Sequence, residues 1–140
     1  MAPSGRPTLL YDDGCRFCRA CVHAIRRWDR AGRFDILPWS DPQAADWLRG
    51  LTPALRDRSM HLRDADGRLH SRDEALLLGL ALLPGGGVVA AGARRLPPLR
   101  WALVRGYELV ARNRAQLSRL VPDTPPVTRR AGSPPGAAAR

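Results

Sequence analysis

Three cysteines, Cys15, Cys18 and Cys21, stand within one seven-residue stretch, and the chain holds no others. The first two make a C-x-x-C. Ahead of them runs an apolar tetrapeptide, Thr8-Leu9-Leu10-Tyr11, and then a turn-forming Asp12-Asp13-Gly14; behind them a helical pattern begins at once. Strand, turn, dithiol and helix in that order predict a redox pair. A sulfur at a helix start meets unpaired backbone N–H groups and the positive end of the helix dipole, which lower a thiol pKa and make the thiolate available as a nucleophile. The two-residue spacing lets the second sulfur, one turn on, close on the first. The chemistry expected is attack by Cys15 on a disulfide, a mixed disulfide, and resolution by Cys18. Two electrons pass to the substrate, Cys15–Cys18 is left oxidised, and no other cofactor is called for.

Residues beside the sulfurs have two readings each. Asp12 is either a polar turn residue or a partly buried base that takes the proton of Cys18, and Asp13 shares that turn. Arg16 and Arg19 flank the sulfurs, where they either lie in solvent or favour the Cys15 thiolate and steer acidic substrates. Cys21 falls on the apolar stripe of the helix. It is a small core residue, a third redox thiol or a metal ligand.

The elements that must hold these groups follow from periodicity and punctuation. Thr8 to Asp12 predicts a buried parallel strand, and Cys15 to Arg30 a helix with Phe17, Cys21, Ile25 and Trp28 on one stripe, Val22 beside it and Gly32 as C-cap. Phe34 to Trp39 predicts a second strand stopped by Pro38. Asp41 as N-cap and Pro42 at the first helical position open a helix whose apolar side is Ala44, Ala45, Trp47, Leu48 and Leu51. Ser59 to Arg63 and Arg68 to His70 flank a turn at Asp64-Ala65-Asp66-Gly67 and predict an antiparallel hairpin. Ser71 and Glu74 suggest a capping box before an apolar, buried helix over 75–83. Pro84 and the glycines break it, 88–93 is a short buried helix or loop, 96–99 is a turn, and a last helix runs to about Leu120. The fold class expected is α/β and thioredoxin-like: a central mixed sheet of about four strands flanked by helices, with extra C-terminal helices. Such folds place a cis-proline before the third strand. Here Met60 stands near that place, and the nearest proline is Pro53; Met60 is either a core methionine or a residue facing Cys15.

The block from Tyr11 to Cys18 resembles the Tyr-Asp-Gly-x-Cys-x-x-Cys motif of the DCC family of thiol-disulfide oxidoreductases. Asp13 stands in that family's glycine slot, and Gly14 follows one place later. Asp66-Gly67-Arg68 with Ser71, Glu74 and Ala75 is similar to the family's hairpin and helix. Tyr107, Ala111, Asn113 and Arg114 resemble its C-terminal block. The resemblance spans about residues 8–120 and implies a thioredoxin-like fold and protein-disulfide reductase activity, with a disulfide-containing protein or small thiol as partner and no named reductant. It also suggests that Tyr107, Arg112, Asn113 and Arg114 line the site; the alternative is an amphipathic helix closing the core.

The length of 140 residues suits one domain with a real core. The organisation expected is a flexible lead over 1–7, the dithiol domain over 8–121 and a disordered Pro/Gly/Ala/Arg tail over 122–140. The formal net charge is +10 and every basic residue is arginine. It divides as +4 over 1–33, −2 over 34–93 and +8 over 94–140, so the excess is C-terminal. Acids beside the arginines and the lack of interleaved aromatics argue against a nucleic-acid partner. Ala75 to Ala93 carries no charge, but Pro84 and three glycines interrupt it, so no membrane span is expected. The N-terminus has no apolar core of signal-peptide length and the cysteines are clustered, which points to a cytoplasmic, reducing setting. Two other functions compete. One is a zinc site from the three cysteines and His23, His61 or His70; against it, no second ligand pair follows. The other is a non-catalytic, basic interaction module on the same fold.

Overall fold

A computed structural model describes residues 6–58 and 60–127. The lead over 1–5 and the tail from 128 lie outside the described residues. Strand β1 (Thr8–Tyr11) pairs in parallel with β2 (Asp35–Pro38), with Thr8 opposite Asp35 and Tyr11 opposite Pro38. On its other edge β1 is antiparallel to β3 (His61–Arg63), which pairs with β4 (Leu69–Ser71) across the predicted hairpin turn. The sheet order β2-β1-β3-β4 is that of a thioredoxin-like sheet. Helix α1 (Arg16–Trp28) is the crossover between the two parallel strands.

Strand alternation splits the core into two layers. Leu9 and Tyr11 face Val22 of α1, Phe34, Ile36, Leu62 and Ala75, with Cys18, Ile25 and Met60 packed at the margin. Leu10 points the other way, onto Leu37 and onto Ala44 and Leu48 of α2 (Pro42–Leu48). Asp41 caps α2 as expected, accepting the Gln43 N–H at 2.9 Å, with Pro42 in the first turn. A short α3 (Pro53–Arg58) leads back to the sheet.

Several expectations need correction. Helix α1 ends at Trp28, which is 44 % exposed and departs from the predicted stripe; Phe17, Cys21 and Ile25 stay on one face with Cys18 and the buried Val22. The buried Asp29 carboxylate accepts the Arg33 and Phe34 N–H groups and turns the chain there. Ser71 stands at the N-cap of α4 (Arg72–Leu82) without capping it. Its hydroxyl lies 2.7 Å from His61 Nδ1 instead, and Glu74 reaches His70. The stretch after Pro84 is a full helix, α5 (Gly86–Arg95), burying Ala90 and Ala93 and exposing Val88 and Val89. It folds back on α4 so closely that a Cβ on Gly86 would sit 2.0 Å from the Leu80 carbonyl oxygen. Pro97 begins α6 (Pro97–Arg112) rather than a turn, because a proline costs nothing in a first turn. Asn113 ends α6, and a separate α7 (Arg114–Leu117) follows.

Residues 122–127 are not a loose tail. Arg19 donates to Thr124 O at 2.8 Å and pairs with Asp123 at 2.7 Å. Pro125 O accepts from His23 Nε2 at 2.8 Å, and the buried Val127 exchanges hydrogen bonds with the Tyr11 hydroxyl through both its N–H and its carbonyl. This strap over α1 came from polar side chains, which hydrophobic periodicity does not register. Among the described residues, no helix is long and apolar enough to cross a membrane.

Candidate active site

The turn before α1 is tightly determined. Asp12 Oδ1 accepts the Gly14 N–H at 3.0 Å, and the Cys15 N–H donates to Asp12 O at 3.2 Å. Asp13 braces the turn from outside, accepting the Ser40 hydroxyl at 2.6 Å, while its carbonyl receives Arg19. Cys15 then takes the N-cap of α1 in extended backbone (φ −97°, ψ 115°), and its Sγ accepts the Cys18 N–H at 3.3 Å. A sulfur here serves as the capping acceptor that Ser or Asp supplies elsewhere, a position that favours negative charge.

Cys18 lies one turn further on and deeper. All three cysteines are half-buried free thiols. Burial pushes the Cys18 thiol up, and its hydrogen bond with Cys15 and the Cys15 charge push it further; Arg114 opposes this and Asp12 adds to it. Burial also pushes Cys21 up, with Cys15 a lesser cause. Cys18 and Cys21 open on the same apolar cavity of about 250 Å³, which Phe17, Met60, Tyr107 and Val110 help to line. Met60 therefore shares a cavity with Cys18 and Cys21, and Cys15 is not in its wall. The Met60 N–H donates to the Tyr107 hydroxyl at 3.1 Å. Burial raises the Tyr107 pKa, against the effect of that hydrogen bond.

Two more side chains reach the sulfurs, Ser118, which sequence reasoning did not place there, and Arg114, which the C-terminal block suggested. Ser118 Oγ accepts the Phe17 N–H at 3.1 Å, donates to Arg114 O at 2.7 Å and lies 4.0 Å from Cys15 Sγ. Arg114 Nη1 lies 3.6 Å from Asp12 Oδ2, and its other amino group donates to Asp57 O. Nothing in the spacing of Ser118 announced its role, since the contact closes across 103 residues. Arg114 was visible as part of the C-terminal block.

A family model described as DCC1-like thiol-disulfide oxidoreductase matches residues 9–120. The chain belongs to that family. No curated protein and no solved structure matches it.

Within this DCC1-like domain the expected site residues divide. Cys15, Cys18, Asp12, Met60, Cys21 and Tyr107 come together around the helix start and its cavity. Asp13 occupies the family's glycine slot without a positive φ and works as a brace for the turn. The exposed Arg16 touches no partner among the described residues, whereas Arg19 is spent on the strap. Arg112 lines a second, larger cleft that meets the cavity at Tyr107, Ala111 and Arg114. Asn113 lines neither; its side chain donates to Leu109 O at 2.7 Å and closes α6. The histidines point elsewhere: His61 to Ser71 and Arg56 O, His70 to Asp64 and Glu74, His23 to Pro125 O. Among the described residues no three His, Cys, Asp or Glu side chains form a metal-ligating group.

Proposed function

We propose that the chain is a disulfide reductase that works through the Cys15–Cys18 pair, with the dithiol as its only electron carrier. The observation that carries this is the Cys15 sulfur at the N-cap of α1, accepting the Cys18 N–H at 3.3 Å. Cys15 Sγ attacks one sulfur of a substrate disulfide, and the departing thiolate takes a proton. Cys18 then loses its proton to the Asp12 carboxylate and attacks Cys15 Sγ. The mixed disulfide breaks, the second substrate thiol leaves, and the Cys15–Cys18 bond forms. Two thiols are oxidised and one disulfide reduced. Burial keeps Cys18 protonated until a base is at hand, and Asp12 is the carboxylate that shares its cavity. A disulfide-bearing protein or small molecule is the substrate class this chemistry takes.

The test is a redox titration in dithiothreitol buffers, read by alkylation mass shift, together with turnover of a model disulfide. The expected result is a reversible Cys15–Cys18 couple that Cys15→Ser and Cys18→Ser each abolish. At pH 8 Cys15 should alkylate first. Cys18 and Cys21 should lag until the pH rises or the protein unfolds. No disulfide between Cys15 and Cys18 under any buffer ratio would end this proposal. A reversible couple without turnover would leave a redox-responsive binding module instead.

A further inference from the structure

The larger cleft is a basic pocket beside the dithiol. Its volume is about 680 Å³, within the range of small-molecule sites. Among the described residues three arginines line it, Arg72, Arg112 and Arg114, with Tyr107 and Thr52 beside them and Glu108 as the single acid. Arg105 lies 3.8 Å from Glu108, so that carboxylate already has a cation. Arg114 is committed to Asp12 and to Asp57 O. Arg72 and Arg112 make no hydrogen bond or ion pair with the described residues, and both are exposed to the cleft mouth.

The position of the cleft gives it a purpose. Tyr107, Ala111 and Arg114 belong both to its wall and to that of the apolar cavity that reaches Cys18. The Arg114 carbonyl holds Ser118, whose hydroxyl lies 4.0 Å from Cys15 Sγ. A molecule anchored by negative groups on Arg72 and Arg112 thus has its other end directed toward the cavity that opens on Cys18, whose N–H donates to Cys15 Sγ at 3.3 Å. Planar guanidinium groups receive carboxylates in bidentate fashion. The charge of the described C-terminal region favours the same ligands, since 94–127 holds seven arginines against Glu108 and Asp123.

We propose that this cleft binds the carboxylates of a low-molecular-weight thiol and of its disulfide, and that this molecule is the small redox partner of the dithiol. The proposal rests on the thiol-disulfide function above and names the partner of that site. Written with R for the carboxylate-bearing part, Cys15 thiolate attacks RSSR and expels one RS⁻, which is protonated. Cys18 gives up its proton and attacks Cys15 Sγ, and the second RS⁻ leaves and is protonated in turn. In the reverse direction two RSH reduce the Cys15–Cys18 disulfide to the dithiol and become RSSR.

The probes are oxidised glutathione, which carries carboxylates, and bis(2-hydroxyethyl) disulfide, which carries none. Stopped-flow oxidation of the reduced full chain is followed with each, in wild type, Arg72→Gln and Arg112→Gln. The expected result is that each variant slows the glutathione reaction by roughly 10-fold, the effect of one lost charge-assisted contact. The rate with the neutral disulfide stays unchanged, and added salt narrows the difference. A second measurement needs no chemistry: S-methylglutathione, which has no exchangeable sulfur, binds the wild type and binds both variants more weakly in calorimetry. If neither disulfide oxidises the protein, the redox function itself has failed. If both oxidise wild type and variants alike, the dithiol function stands and the carboxylate site is overturned. A disulfide-linked acidic peptide that outcompetes glutathione at the same cleft also overturns it, because the partner is then a protein.

Discussion

Arg114 Nη1 lies 3.6 Å from Asp12 Oδ2, and this ion pair ties the last helix of the domain to the turn that carries the dithiol. Both side chains are about three-quarters buried (29 % and 25 % exposed), so solvent screens them less than a surface pair. Around Cys18 the two charges act in opposite senses: Asp12 raises the thiol pKa and Arg114 lowers it. Removing the arginine leaves the carboxylate without its counter-charge beside a thiol that has to ionise.

The Arg114→Ala variant should therefore be slow in the second half of the reaction. Attack by Cys15 proceeds, but Cys18 stays protonated and the mixed disulfide accumulates. A single lost charge interaction of this kind predicts roughly a 10-fold slower resolution at pH 7, with the deficit shrinking as pH rises toward that of the thiol. Acid-quenched mass spectrometry of the intermediate measures it. Equal accumulation in both proteins would show that Arg114 has no electrostatic hold on Cys18.

Ser118→Ala isolates the other new contact. The hydroxyl takes the Phe17 N–H and stands within reach of Cys15 Sγ, so its loss leaves one first-turn donor of α1 without its side-chain partner and removes a polar neighbour of the sulfur. A hydrogen bond of this class predicts about a 3- to 10-fold loss in Cys15 alkylation rate at pH 7. Ser118→Thr keeps the hydroxyl and should restore the rate. If alanine and threonine behave alike, the hydroxyl does not act on the sulfur.

How much of this was readable beforehand depends on the range of the interaction. The hairpin of β3 and β4, the C-x-x-C at a helix start and the Asp41-Pro42 helix entry are local patterns of polarity and turn chemistry, and the chain adopts them as the sequence predicts. Asp12, Met60, Tyr107 and Cys21 were placed near the site by motif and stripe, and they gather at one cavity. Ser118, the Asp12–Arg114 pair and the strap at Val127 depend on contacts made across about a hundred residues, and a polar side chain carries no periodic mark of its distant partner. Ser71 misled for the opposite reason. Its spacing to Glu74 satisfies a local rule, but His61 across the hairpin and His70 four residues back take the two side chains instead.

His70 couples stability to pH. Its Nε2 lies 2.8 Å from Asp64 Oδ2 and its Nδ1 3.1 Å from Glu74 Oε2. The hydrogen bond to Asp64 is the main cause of its raised pKa, and burial opposes it. Burial pushes Asp64 up, but hydrogen bonds from His70, Arg68 and Asp66 outweigh it and leave its pKa lowered. A raised histidine stabilises fully below its unfolded value, near 6.5, and that contribution is lost as pH rises through the folded value. A lowered aspartate stabilises above its unfolded value, near 4, and that contribution is lost as pH falls through the folded one. The contact is thus strongest between about pH 4 and 6.5. His61 works in the reverse sense, since burial lowers its pKa and its contribution is lost in acid. Comparing wild type with His70→Gln cancels that term. The free energy of urea unfolding of the wild type should exceed that of the variant most near pH 5.5, by up to about 1 kcal/mol, and the gap should be smaller at pH 8. A gap that is the same at both pH values would mean that His70 is not charged in the contact.

The strap offers the last prediction. Tyr11 sits at the end of β1 with its hydroxyl buried, donating to Val127 O at 2.9 Å and accepting from Val127 N at 2.7 Å. In Tyr11→Phe the ring still fills its place in the core, while one donor and one acceptor of Val127 lose their partner in a dry site. Leaving them there predicts a loss of about 1–3 kcal/mol in urea unfolding. The chain has a cheaper response, which is to lift Val127 into water. Arg19 and His23 still hold residues 123–125 to α1, so the lifting should stop there. Hydrogen exchange separates the two responses. Faster exchange confined to Val127 means local release with little change in global stability, and faster exchange throughout the β1–β3 ladder means that the strap stabilises the whole sheet. Unchanged exchange at Val127 would mean that the tyrosine does not hold the strap at all.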